Sequence, residues 1–219
     1  MNLDAIEAAL QDLRARFPQI NRLLRARRDS LDPGIVANMM AGYRFVDNLL
    51  AHRVDLLAMG NLKLFLEMNA LVLFGSDESG RSEAAFQLAA SEKRFYDQED
   101  SGIRDVVEWY DLHRANSAWR RAAGVYIAIL SEPQLFIEGN HRTGALVMSY
   151  ILAREGRPPF VLTAQNAKAY LDPSTVITET RKHSLAALFK IPKIKRDFAN
   201  FLREQSDQKY LIATSTRPA

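Results

Sequence analysis

Five consecutive residues, Glu138, Gly139, Asn140, His141 and Arg142, place an acid, a turn pair, an imidazole and a guanidinium in one short stretch, with Gln134 and Phe136 just ahead. The apolar run Ala145, Leu146, Val147, Met148 follows and opens a helix. That order suits an anion, phosphate above all. A helix start offers unpaired backbone N–H groups and the positive end of the macrodipole, Gly139 lets the backbone approach closely, and Arg142 adds a forked donor. Glu138 could hold a divalent cation on the same phosphate. His141 titrates near physiological pH, so it could serve as a base. Each residue also has a plainer reading. Glu138 is favoured beside a helix N-terminus in any protein, Arg142 can pair with an acid such as Glu138, and Gly139-Asn140 is a turn pair on any account. Gln134 can cap the preceding helix or hydrogen-bond the loop, and Phe136 belongs to the core.

The elements that must position these groups read as helices. Leu3, Ile6, Leu10, Leu13 and Phe17 recur at three- and four-residue steps, and Pro18 is expected to break or kink the helix they define. Asp32-Pro33 starts a second, carrying Ile35 to Leu50 on a wide apolar stripe. Gly60 separates it from a third over 62–74, apolar nearly all round and therefore central. Gly75 to Arg81 is a turn cluster, and 82–98 shows no clean helical face, so a short β-hairpin or an irregular flap is expected there. The helical period returns at Gly102, then again after a cap at Asn116 or Ser117, and ends at Glu132-Pro133. Beyond the central stretch come a helix over about 142–155 closed by Gly156, an extended link at Phe160 to Leu162, a helix near 164–171, a turn at Asp172-Pro173, and helices within 174–205. The tail Ser215 to Ala219 is expected to fray. The fold class expected is all-α, with one small irregular or β element before the motif.

Composition narrows the chemistry. With 219 residues, 47% apolar and 25% charged, the chain can bury a substantial core. Zero cysteines exclude disulfides, thiolate zinc sites and cysteine nucleophiles, which fits a reducing cytoplasm. The N-terminal residues show no basic region leading into an apolar one, and no run reaches the ~18 apolar residues of a spanning helix, so neither export nor a membrane is expected. Arg14, Arg16, Arg22, Arg25, Arg27 and Arg28 crowd one segment. No aromatic residues interleave with them to stack bases, so a solvated face is favoured over nucleic acid. His52, His113 and His183 stand at no metal-binding spacing, and Arg81 stands where a Walker loop after Gly75 would need lysine.

Phe136, Glu138, Gly139, Asn140 and Arg142 match in register the Fic (Fido) signature H-P-F-x-[D/E]-G-N-G-R-x-x-R, and the chain here resembles that family. Residues 62–190 can be laid on the family's plan, with 1–60 as an added helical part, 61–205 as a Fic-like domain and 206–219 as a tail. Family members mostly transfer AMP, or another phosphate-containing group, onto a protein hydroxyl. The resemblance implies Glu138 as a Mg²⁺ ligand, Gly139, Asn140 and Arg142 as the phosphate cradle, and a flap around Gly80, Arg81 and Phe86 that docks the target protein. Three positions depart. Gln134 replaces the histidine base, and a carboxamide cannot take a proton, a loss typically worth about 10²–10⁴ in rate. His141 replaces a glycine, where it either bears a positive φ at a cost or fills the phosphate pocket. Ala145 replaces an arginine, which favours a monophosphate over a triphosphate.

The expectation is therefore a Fic-fold protein with a degenerate loop that retains an anion or nucleotide pocket for ATP or AMP with Mg²⁺, and whose protein AMP-transferase activity is weak, altered or lost. A non-catalytic protein-interaction module on the same scaffold is the alternative. Last stands a phosphate-ester hydrolase with water oriented by Gln134.

Overall fold

Ten consecutive positions from Thr143 to Leu152, together with Asn140, are buried, and the chain folds helices around them. The computed structural model describes residues 1–97, 102–182 and 185–212. Helix α7 (Ala118–Leu130) and helix α8 (Asn140–Arg154) form the central pair. They approach closely because Gly144 faces the Tyr126 ring, where a Cβ would lie 2.7 Å from a ring carbon. Around them lie α1 (Leu3–Arg22), α2 (Pro33–Ala51), α3 (Lys63–Phe74), α4 (Glu78–Glu83), α5 (Ala85–Phe95), α6 (Ile103–Leu112), α9 (Ala167–Thr178) and α10 (Leu185–Glu204), with 3-10 turns at Met59–Asn61 and Gln208–Tyr210. Among the described residues there is no β-strand, only an isolated bridge between Glu132 and Arg181. The all-α expectation holds.

Helix α2 packs against α1, α3 and α8, while α10 covers α7, stacking Phe198 on Tyr126 at 5.0 Å and 4°. One continuous apolar cluster runs from Ile6 on α1 to Tyr210. The Tyr43 hydroxyl, buried by α2, donates to the Phe160 carbonyl at 2.7 Å and fastens the extended link after α8.

The segment expected to form a hairpin or irregular flap is instead mostly helical, over Glu78–Glu83 and Ala85–Phe95. Asp77 caps α4 by accepting from the Ser79 and Gly80 N–H groups, and α5 follows directly. The apolar stripe of α5 was invisible to periodicity because only Ser91 and Phe95 are buried, while Ala85, Ala89, Ala90, Lys93 and Arg94 supply helix propensity instead. Two proline expectations also change. Helix α1 runs through Pro18 to Arg22, and α9 runs through Asp172-Pro173 to Thr178. In α9, buried Tyr170 and Ile177 anchor both halves, which outweighs the one backbone bond that Pro173 cannot make. His183, Gln98 and the tail Ser215 to Ala219 lie outside the described residues.

Candidate functional site

The loop between α7 and α8 is stapled by a side chain from its own end. Asn140, 4% exposed, accepts from the Phe136 N–H at 2.9 Å and donates to the Phe136 carbonyl at 2.7 Å and to Gln134 Oε1 at 3.0 Å. Gln134 is thus a loop hydrogen-bonding group. From α3, buried Asn69 donates to the Glu138 carbonyl at 2.9 Å and to Thr143 Oγ1 at 3.0 Å. Leu135 and Phe136 drop into the core, where Phe136 stacks on Phe95 of α5 at 5.4 Å. Arg94 of the same helix donates to the Gln134 carbonyl at 2.9 Å, and Lys182 Nζ to the Pro133 carbonyl at 2.8 Å. Burial, with Arg94 nearby, lowers the Lys182 pKa to about 8.

Gly139 ends the loop in the left-handed region, at φ 76°, and hands the chain to α8 without a side-chain cap. The first N–H groups of a helix lack intrahelical partners, and here no side chain of the cap residue takes them up. Its Cα also sits against Asn69, where a Cβ would lie 2.8 Å from Nδ2. Glu138 is exposed, and no group of three or more His, Cys, Asp or Glu side chains able to hold a metal occurs among the described residues.

His141 lies within α8 and carries no positive φ, so the strained alternative is set aside. Its Nδ1 lies 3.1 Å from the Tyr126 hydroxyl. Burial, then Arg28 and Arg142, lower its pKa to about 4. It is therefore neutral at pH 7 and a weak base. Arg142 does not pair with Glu138; its Nη1 donates to the Val72 carbonyl of α3 at 2.5 Å. Burial lowers its pKa, against the opposing pull of Glu138 and Asp32.

On the opposite flank of this helix start lies a cleft of about 290 Å³ between α1, α2, α8 and α9, with His141, Arg142 and Ala145 along one wall and Arg28 along another. The expected flap residues spread out differently. Gly80 is part of α4, and Arg81 forks onto Glu67 at 2.9 and 3.0 Å and onto the Gly75 carbonyl, acting as a strut. Phe86, on α5, is 89% exposed.

Among solved structures, a fragment of Fic-1 from C. elegans superposes with a TM-score of 0.52 at 21% identity, covering 92% of this chain and 58% of that one. The fold is Fic-like. The chain thus spans less than two thirds of that structure's length. No protein-family model matches the sequence, and no curated protein matches it.

Within this Fic-like fold, sequence reasoning missed four contributors: Asn69, Arg94, Lys182 and Arg28. Asn69 left a signal, as a lone amide inside a helix apolar nearly all round. The others reach the site from segments whose placement only packing reveals. No helix among the described residues is long and apolar enough to cross a membrane.

Proposed function

We propose that the start of α8 is an anion site inherited from Fic-type chemistry, in a protein that binds a nucleotide or a phosphate group and has lost or strongly weakened protein AMP transfer. One observation supports this reading: a left-handed turn leads into an uncapped helix start, while a carboxamide stands where the resemblance would place the base. Gly139 holds the left-handed turn, α8 has no side-chain cap, and Arg142 stands in its first turn. At the position of the base, Gln134 has its acceptor oxygen engaged by Asn140. His141 does not replace it, because its pKa of about 4 leaves little driving force for taking a proton from a hydroxyl.

Glu138 is the residue that would hold Mg²⁺. A single exposed carboxylate suits Mg²⁺ that takes its remaining ligands from phosphate oxygens and water, and not a cage built by protein alone. The metal would neutralise phosphate charge; the chain's own part is to orient the anion through the N–H groups of α8 and Arg142. The engaged oxygen of Gln134 also disfavours hydrolysis with water oriented by that side chain.

The test is incubation with labelled ATP, GTP, UTP and CTP, Mg²⁺ and a bacterial lysate. Label on protein is expected to be weak or absent. Robust labelling that survives both Gln134→Ala and His141→Ala would overturn the reading. The interaction-module alternative is favoured by Phe86, a large apolar side chain held out on α5. It predicts no Mg²⁺-dependent thermal shift with AMP or ATP, whereas the anion-site reading predicts one.

A further inference from the structure

The cleft beside α8 has the makeup of a second binding site. Its floor is Leu13 and Phe17 of α1 and Val36 and Met39 of α2, and Ala145 of α8 leaves room that a longer side chain would take. About 290 Å³ is near the lower end of small-molecule pockets, which are mostly apolar with a few placed polar groups. The polar groups here are concentrated and cationic. Arg28 and Arg142 both line the cleft, as does His141, whose ring feels the charge of both. Asp29 also lines it, but it is exposed and forms no ion pair with either arginine among the described residues.

Arg28 is built into place. Asn21 clasps its backbone from both sides, accepting from the Arg28 N–H at 2.8 Å and donating to its carbonyl at 2.7 Å. Its Nη2 donates to Thr175 Oγ1 of α9 at 2.9 Å, while its Nε is buried and has no hydrogen-bond partner among the described residues. A half-buried guanidinium with a buried, unpaired N–H and no carboxylate carries a desolvation cost, which a bound anion would offset. Arginine is the side chain that grips carboxylate or phosphate by two parallel bonds.

We propose that this cleft binds a small amphipathic anion, with a carboxylate or phosphate head between Arg28 and Arg142 and an aliphatic body over Leu13, Phe17, Val36 and Met39. A nucleotide triphosphate fits it poorly, because two cations and apolar walls cannot replace the hydration of three phosphates and a ribose. This site goes beyond the nucleotide reading and shares only Arg142 with it. A negative labelling experiment leaves it standing, and failure here leaves the loop's chemistry untouched.

The experiment is calorimetric titration of the full chain with decanoate, decyl phosphate, decanol and AMP, all below micelle-forming concentrations. Saturable one-site binding of the decyl anions is expected, with decanol and AMP at least tenfold weaker; the tighter anion identifies the head. Arg28→Gln should weaken the anions about tenfold and leave decanol unchanged, and Ala145→Phe should abolish binding by filling the cleft. Decanol binding as tightly as the anions, AMP binding as tightly as decanoate, or no saturable binding each overturns the proposal. Should a variant fail to fold, methionine-methyl NMR of the unaltered chain decides: decanoate should move the Met39 signal and leave exposed Met59 in place, and an unmoved Met39 refutes the site.

Discussion

The two flanks of the start of α8 are built in opposite ways. On the loop flank, Gln134 joins the hydrogen bonds by which the loop closes on itself through Asn140 and Asn69, and the loop stays anchored to α3 and α5. On the cleft flank, His141 and Ala145 line a largely apolar cleft beside the helix, which Arg28 also lines. The difference shows what each position does. A residue that acts only in chemistry can change while its loop keeps its shape, because the hydrogen bonds that hold the loop belong to other side chains. A residue that fills space changes the surface when it changes size.

Breaking the loop flank should have the largest effect. Asn140→Ala removes three hydrogen bonds and leaves the buried Phe136 N–H and carbonyl unpaired, so urea unfolding should show a loss of about 3 kcal/mol. A loss below about 1 kcal/mol would mean that packing of Phe136, not Asn140, holds the loop.

The cleft flank should declare itself through pH. The His141 pKa is lowered to about 4, from 6.5 for a free imidazole, so the unfolded chain binds a proton that the folded chain refuses between those values. Its contribution is fully present above pH 6.5, falls as pH drops through the window, and is lost below about 4. The slope should amount to about 2–3 kcal/mol across that window and should flatten in His141→Gln. An unchanged slope in that variant places the titration elsewhere.

Gly139→Ala probes the hinge between the two flanks. At φ 76°, with Asn69 in close contact, a methyl group should cost about 1–2 kcal/mol in thermal or urea unfolding. The smallest effect belongs to the arginine cluster. Arg16 pairs with Asp12 on the exposed face of α1, and Arg16→Ala should change stability by less than about 0.5 kcal/mol. Within that cluster, Arg28 lines the cleft beside α8.

Much of this fold could be read from the chain, because amphipathic stripes on α1, α2, α6 and α7 are long and regular. What escaped was governed by tertiary packing. Helix α5 buries too little for its stripe to show, and α1 and α9 carry prolines that local rules treat as stops but neighbouring helices hold in line. At the site, the turn at Gly139 was legible by residue type, and the choice left open for Gln134 resolves as a loop hydrogen bond. The exchange of partners was not legible. Arg142 meets a backbone carbonyl instead of Glu138, and Arg28 arrives from more than a hundred residues away in sequence.

The central claim is that the loop retains its anion cradle and lacks only the groups for transfer. The most direct measurement compares protein labelling from ATP by the natural chain and by the combined variant Gln134→His, His141→Gly, Ala145→Arg, both confirmed as folded. The account predicts a rise of about a hundredfold or more in the variant, the worth of a restored general base. A folded variant that labels no better than the natural chain would contradict it.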